Sequence, residues 1–262
     1  MPHQPNQQQR YTRQRPYPNQ AAILLVLATI TVFVVACGTT QQRQSLNDGT
    51  PTAQRHTVTY VAIGASDSFG VGTENPGRDS WPSVLADSLE TEGTDIHLIN
   101  LGIPGETTAE ARKTELPIAL DAQPALVTVW LGVNDILQAV SVDEYEKQLE
   151  GLLRSLHDHT HALVFVGNIP NLSLLPYFAG FDQTELQTTI AHWNAAIAHA
   201  VAITGSRLVD LHTTWAELAT HPEYIASDGL HPSTIGAMRL AEVFQSWIAL
   251  SFGTIRATAD VP

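Results

Sequence analysis

The chain has 262 residues, 44% of them hydrophobic, which is enough to bury the core of one domain with additional segments. Its formal net charge of −13 is unevenly distributed: residues 1–56 hold five Arg and one Asp, and the remainder carries a charge of about −17, which argues against binding to a nucleic-acid backbone. The single cysteine excludes an intramolecular disulfide and a cluster of thiolate metal ligands.

Residues 1–37 have the layout of a secretory leader. Arg10, Arg13 and Arg15 precede the uncharged run AAILLVLATITVFVVAC, which ends at Cys37. The 16 residues before the cysteine fall between a long signal core and a short membrane span. The ending VVAC resembles the lipobox of bacterial lipoproteins, in which the cysteine is lipidated and becomes the new N-terminus. The alternative is an uncleaved signal anchor, and both interpretations place the rest of the chain outside the cytoplasm, attached to the membrane.

Three further segments follow from composition. Residues 38–56 are polar and rich in turn formers, so they are predicted to form a flexible tether. Residues 57–252 are predicted to form the folded domain, and residues 253–262 a C-terminal tail. The sequence shows no internal repeat.

From residue 57 onward, short apolar runs alternate with segments of helical periodicity. This pattern predicts an α/β fold, a three-layer α/β/α sandwich around a five-stranded parallel sheet with the common strand order 2-1-3-4-5. The predicted strands are TVTYVAI (57–63), IHLINL (96–101), LVTVWL (126–131), ALVFVG (162–167) and RLVDL (207–211).

Four longer helices are predicted from apolar residues at helical spacing. Ser80 is a candidate N-cap for the first, and Ser141 with Glu144 forms a possible capping box for the second. The third ends at Gly205, and the fourth runs from about Thr234 to Leu250.

Polar and glycine-rich segments directly follow the first three strands: GASDS, GIPGETT and GVND. In an open, doubly wound sheet, ligands bind outside the carboxyl ends of the strands. With the order 2-1-3-4-5 these three strands are neighbours, so Gly102, Ser66 and Asn134 are expected to converge.

A fourth block, DGLHPS, precedes the last helix and contains Asp228 and His231. A serine hydroxyl becomes a good nucleophile when an imidazole takes its proton, and a carboxylate holds the imidazole in the required tautomer. Asp228 is close enough in sequence to orient His231 for Ser66.

Together the blocks resemble the SGNH hydrolases, also called GDSL esterases and lipases. Ser66 in GASDSFG, Gly102 in NLGIPGETT, Asn134 in GVND and His231 in DGLHP match the family's four blocks in order, over roughly residues 57–250. Each block alone is an ordinary turn, and the specificity comes from the set. The resemblance implies the SGNH hydrolase fold and an oxyanion hole made by Ser66, Gly102 and Asn134.

The sequence therefore predicts a serine esterase or lipase that cleaves carboxylic esters through an acyl-serine intermediate on Ser66, with His231 and Asp228 completing the triad. No cofactor, metal or protein partner is expected, and the substrate is a small-molecule or lipid ester. One departure stands out: the family usually has Asp before the serine, where this chain has Ala65. The alternatives are a catalytically silent binding protein of the same fold and a carbohydrate (acetyl) esterase.

Two other segments have competing interpretations. The run HDHTH (157–161) is interpreted as loop histidines rather than a metal site, because ligands so close in sequence cannot surround an ion alone. The run NIPNLSLLPYFAGF (168–181) is apolar for a loop, and it is predicted either to wall an acyl pocket or to pack over the core.

Overall fold

The computed structural model of the chain describes residues 55–91 and 93–249. The predicted leader with Cys37, almost all of the tether and the C-terminal tail lie outside the described residues. Across the part that is described, no helix combines the length and apolar character needed to cross a membrane.

The core of the fold is a five-stranded parallel sheet with the order β2-β1-β3-β4-β5, which confirms the predicted topology. All residues of the central strand β3 are buried, as expected for a parallel sheet covered on both faces. The strands are β1 His56–Gly64, β2 Thr94–Asn100, β3 Leu126–Trp130, β4 Leu163–Gly167 and β5 Arg207–Val209.

The predicted fifth strand is too long by two residues. Asp210 leaves the strand and caps a short helix, because its side chain accepts a hydrogen bond from the N–H of Thr213. An acidic side chain at this position stabilises the helix start rather than a further ladder pair.

Among the described residues, the four predicted helices are present together with six shorter α-helices, two of which precede the first predicted one. Ser141 caps its helix by accepting a hydrogen bond from the N–H of Glu144, and Gly205 ends the longest helix in the left-handed conformation. The helices are α1 Ser66–Phe69, α2 Pro76–Asp79, α3 Trp81–Leu89, α4 Thr108–Thr114, α5 Leu116–Asp121, α6 Val133–Leu137, α7 Val142–His159, α8 Gln183–Thr204, α9 Leu211–Thr214 and α10 Thr234–Ala249.

Large aromatic side chains join the helices in pairs. The fully buried Trp81 of α3 stacks on Phe244 of α10 with ring centroids 4.3 Å apart. Tyr145 of α7 lies against Trp193 of α8 at 4.4 Å. These contacts add specific geometry to the hydrophobic burial and hold the helices on the sheet.

The chain turns tightly where β1 ends. A Cβ atom on Gly64 would lie 2.1 Å from the Oγ of Ser68, so only glycine allows α1 to begin directly above the strand. Because β2 and β3 flank β1, the segments that follow all three strands meet at this end of the sheet.

Candidate active site

Ser66 is the first residue of α1, immediately beyond the carboxyl end of β1. Its side chain is largely buried, with 8% of the residue exposed, and its Oγ lies 2.9 Å from Nε2 of His231. The two residues are 165 positions apart in the chain, so the fold brings them together. The predicted pair of serine and imidazole is therefore within hydrogen-bonding distance.

His231 is held on its other side by Asp228. Nδ1 of His231 lies 2.6 Å from Oδ2 of Asp228. Because an ionised carboxylate only accepts hydrogen bonds, Nδ1 carries the proton and Nε2 is left to accept the proton of Ser66. This is the tautomer that a general base requires.

The Asp228 carboxylate is fixed by its own loop. Its Oδ1 accepts hydrogen bonds from the N–H groups of Leu230, at 2.9 Å, and His231, at 3.0 Å. Burial opposes ionisation, but these bonds and the one from the His231 ring outweigh it and hold the pKa of Asp228 below its ordinary value. Asp228 is therefore ionised at neutral pH.

Asn134 lies on α6, just beyond the carboxyl end of β3, and its side chain lines the same cavity as Ser66. Its Nδ2 donates to the carbonyl oxygen of Glu106 at 2.9 Å, which leaves the second amide hydrogen for another acceptor. The next residue, Asp135, accepts hydrogen bonds from the N–H and hydroxyl of Thr108 and so ties α6 to the start of α4.

The structure does not support the oxyanion role predicted for Gly102. The N–H of Gly102 donates to Oδ1 of Asn100 at 3.1 Å, and Gly102 does not line the cavity that contains Ser66. A Cβ atom there would lie 2.7 Å from the backbone nitrogen of Phe69, so this glycine is needed for close packing of the chain. Its N–H is already used.

Gly105, three residues further on, lines the cavity instead. It is the third residue of a turn closed by the N–H of Glu106 donating to Ile103, and its φ of +87° suits the Pro-Gly pair of a type II turn. Among the described residues the N–H of Gly105 has no acceptor. The Pro-Gly pair in GIPGETT is the sequence signal that could have identified this residue.

The cavity beside Ser66 has a volume of about 280 Å³ and is mainly apolar. Trp130 and Trp215 form part of its wall, edge to face with ring centroids 6.3 Å apart. The other apolar lining residues are Ala65, Val71, Pro104, Leu131, Val133, Pro170, Leu172, Leu175, Leu230 and Pro232.

The 168–181 segment combines both of its predicted roles. Pro170, Leu172 and Leu175 line the cavity, while Phe178 is fully buried in the core. The segment also meets the loop of the triad, because the N–H of Tyr177 donates to the carbonyl oxygen of the residue after Asp228 at 3.0 Å.

Asp67 contributes a carboxyl group to the cavity, next to Ser66. Burial raises the pKa of Asp67 to about 6, and the neighbouring His231 acts in the opposite direction when it is protonated. Asp67 is therefore harder to ionise than an exposed aspartate.

The HDHTH run differs in detail from its predicted loop position, because α7 continues to His159. Nδ1 of His159 lies 2.9 Å from the carbonyl oxygen of Ser155, one helical turn earlier. Within the described ranges, no three or more His, Cys, Asp or Glu residues are grouped so that they could hold a metal ion.

Comparison of the sequence with known proteins shows that the chain is similar to esterases. The family model of the GDSL-like Lipase/Acylhydrolase family matches residues 62–239, a range that includes Ser66, Asp228 and His231. An arylesterase of Vibrio mimicus is 27% identical over 67% of this chain and 82% of its own length. An acetylxylan esterase of Geobacillus stearothermophilus is 24% identical over 57% of this chain and 70% of its own length.

Solved structures show the same fold. A crystal structure of Axe2, an acetylxylan esterase from Geobacillus stearothermophilus, matches with a TM-score of 0.61 and 21% identity over 76% of this chain and 98% of that one. A crystal structure of TesA matches with a TM-score of 0.60 and 24% identity over 72% of this chain and 97% of that one.

Proposed function

Since the chain belongs to the GDSL-like Lipase/Acylhydrolase family and is a hydrolase acting on ester bonds, we propose that it cleaves carboxylic esters through an acyl-serine intermediate on Ser66. The observation that carries the proposal is the continuous chain of hydrogen bonds from Ser66 through His231 to Asp228. The assembled triad also favours an enzyme over a silent binding protein.

In the first half of the reaction, Oγ of Ser66 bonds to the ester carbonyl carbon while its proton passes to Nε2 of His231. The bond to the leaving oxygen then breaks, and that oxygen takes the proton from His231. In the second half, water attacks the acyl-serine and gives its proton to His231. The acid departs and Ser66 recovers the proton.

The negative oxygen of each tetrahedral intermediate needs hydrogen-bond donors. We assign this role to the N–H groups of Ser66 and Gly105 and to Nδ2 of Asn134. Neither backbone N–H has an acceptor among the described residues, and Asn134 has one amide hydrogen to spare. Donors fixed in place before the reaction need no reorganisation when the charge develops.

The cavity favours an uncharged, apolar acyl group larger than acetyl. Its volume of about 280 Å³ is roughly that of nine liquid water molecules, and most of its lining is aliphatic or aromatic. The Asp67 carboxylate disfavours an anionic acyl chain by charge repulsion.

An ester panel tests this substrate class. With the p-nitrophenyl alcohol held constant, kcat/KM is expected to rise by about fourfold for each CH₂ added beyond acetyl until the cavity is full, because each buried CH₂ contributes about 0.8 kcal/mol. Val71→Phe, which narrows the cavity, should shorten the preferred acyl chain. Ile118→Phe, at an exposed position on α5, is the matched control. A preference for acetyl groups on sugars would instead support a carbohydrate acetyl esterase.

We further propose that the enzyme is attached to the outside of the membrane through a lipid on Cys37. The support is the sequence alone: three arginines, an apolar run and the VVAC ending. When cells are fed a radiolabelled fatty acid, the wild-type chain is expected to become labelled and Cys37→Ser to remain unlabelled. A wild-type chain that stays unlabelled, yet sediments with membranes, would support the uncleaved signal anchor.

A further inference from the structure

A buried carboxyl group contacts the segment that leads from β1 to Ser66, residues 64–66, which we call the nucleophile loop. Glu115, between α4 and α5, is only 1% exposed, and its Oε2 accepts a hydrogen bond from the N–H of Gly64 at 2.9 Å. Its other oxygen, Oε1, has no hydrogen-bond partner among the described residues. A carboxyl group in this position has no part in the mechanism given above.

Glu115 has no neutralising cation. None of the ion pairs formed by the described residues includes it. Its charged neighbour is Glu106, the last residue of the turn formed by residues 103–106, which we call the Gly105 turn. Of the cations on α4, Arg112 donates to Gln148 and Lys113 is exposed. Burial raises the pKa of Glu115 to about 9; the hydrogen bond from the N–H of Gly64 opposes this rise, and the neighbouring Glu106 carboxyl group adds to it. Glu115 is therefore a neutral acid at physiological pH.

The contacts of Glu115 connect the parts of the site. Gly64 is the last residue of β1, two residues before Ser66, and its carbonyl oxygen accepts from Ile103 in the Gly105 turn at 3.3 Å. Glu106 belongs to the same turn, and its carbonyl oxygen positions Asn134. Glu115 thus lies where the nucleophile loop meets the oxyanion donors.

We propose that Glu115 is a positioning residue that, as a neutral carboxylic acid, holds Gly64 and thereby sets the place of Ser66 against the oxyanion donors. The inference rests on the proposed function of Ser66. The loop has no carboxyl group of its own at Ala65, and Glu115 supplies one from another part of the chain. Ionisation of Glu115 would place an unpaired negative charge in the buried site, near the half-buried Glu106 carboxylate, and this charge can relax only by moving away or by admitting water. Either response moves the loop.

The first test compares pH profiles of kcat for wild type, Glu115→Gln and Glu115→Ala in the full-length protein, with p-nitrophenyl butyrate as substrate. The background measured with Ser66→Ala is subtracted at each pH. Wild type is expected to lose kcat as pH rises through about 9, where the buried acid ionises. The glutamine of Glu115→Gln keeps an oxygen that can accept from the N–H of Gly64, and its amide does not ionise. The kcat of this variant should therefore not fall as pH rises through about 9.

Below the pH at which wild type loses activity, Glu115→Ala should lower kcat by about ten- to a hundredfold while changing KM little, because the nucleophile is misplaced rather than the substrate site removed. If Glu115→Ala fails to fold, the pH profile of kcat for Glu115→Gln still tests the proposal. The same alkaline loss in Glu115→Gln and wild type, or an unchanged kcat in Glu115→Ala, would overturn the proposal.

A second test needs no catalysis and so separates this proposal from that of the esterase mechanism. The unfolded chain ionises Glu115 near its ordinary pKa of 4.5, whereas the folded chain holds the proton up to about 9. Wild-type stability therefore falls as pH rises between these values. The melting temperature of Glu115→Gln minus that of wild type should increase from about pH 5 to about pH 9.

Glu110→Gln is the matched control for the melting experiment. The pKa of the exposed Glu110 is lowered, first of all by the hydrogen bond from the N–H of Thr107, so both its folded and unfolded states are ionised above its ordinary pKa of 4.5. Its melting difference from wild type should stay constant across the same pH range. If the difference in melting temperature between Glu115→Gln and wild type also stays constant with pH, the proposal is overturned, even if Ser66→Ala loses kcat as expected.

Discussion

Ser66→Ala is expected to lower kcat for ester hydrolysis by about 10⁶-fold, the scale seen when the serine of a catalytic triad is removed. The substitution deletes the atom proposed to bond covalently to the substrate carbonyl carbon, and His231 then has no proton to accept from a nucleophile. The measurement is the kcat of the purified full-length protein with p-nitrophenyl butyrate. Incubation with a serine-directed phosphonate followed by peptide mass spectrometry should place the adduct on Ser66.

Ser68→Ala is the matched control for this experiment. Ser68 lies in the same GASDSFG motif and is fully buried, yet its Oγ has no hydrogen-bond partner among the described residues. Removing that oxygen should leave kcat within a fewfold of wild type. Substantial activity in Ser66→Ala, or an adduct on Ser68, would refute the assignment of the nucleophile.

Asn134→Ala is expected to lower kcat by about 10²–10³-fold, with a much smaller change in KM, because the amide serves the charged intermediate rather than the bound substrate. The melting temperature should fall only modestly, since the amide makes a single hydrogen bond to the described residues, to the carbonyl oxygen of Glu106. Steady-state kinetics and thermal unfolding, measured on the same preparation, check both statements.

Gln138→Ala separates loss of the donor from loosening of the turn. Gln138 follows α6, and its Nε2 donates to the carbonyl oxygen of Gly105 at 3.0 Å without lining the cavity. Because this substitution loosens the Gly105 turn but removes no oxyanion donor, kcat should fall by less than about tenfold. Equal losses in Asn134→Ala and Gln138→Ala would show that Asn134 acts through the turn.

The predicted strands agree with the structure because a buried parallel strand requires a continuous apolar run, which is a local property of the sequence. The ends of elements were less predictable. The strand predicted to continue to residue 211 stops at Val209, since Asp210 caps α9. The short helix α4 was not predicted, although Thr107 and Glu110 form a capping box at its start.

The triad and the oxyanion donors differ in how far sequence alone could identify them. Ser66, His231 and Asp228 are side chains with a chemistry of their own, and their residue types in family order were enough to select them. A backbone N–H has no residue type, so residue type alone does not distinguish two nearby glycines, and in the sequence only the Pro-Gly pair at 104–105 singles out one of them. The structure does not support Gly102 in this role, because its N–H already has an acceptor and it does not line the cavity, whereas Gly105 does.

The sequence by itself thus indicated the fold class and the residues proposed for the triad, because hydrophobic periodicity and side-chain chemistry are local properties of the chain, and the common strand order 2-1-3-4-5 assumed for that class agrees with the structure. Only the tertiary structure decided which of the two glycines lines the cavity beside Ser66, how the 168–181 segment divides between cavity and core, and that Glu115 is buried against Gly64. The reason is that burial and direction arise from contacts between distant segments. Glu115 and Gly64 are 51 positions apart, and neither sequence neighbourhood indicates the other.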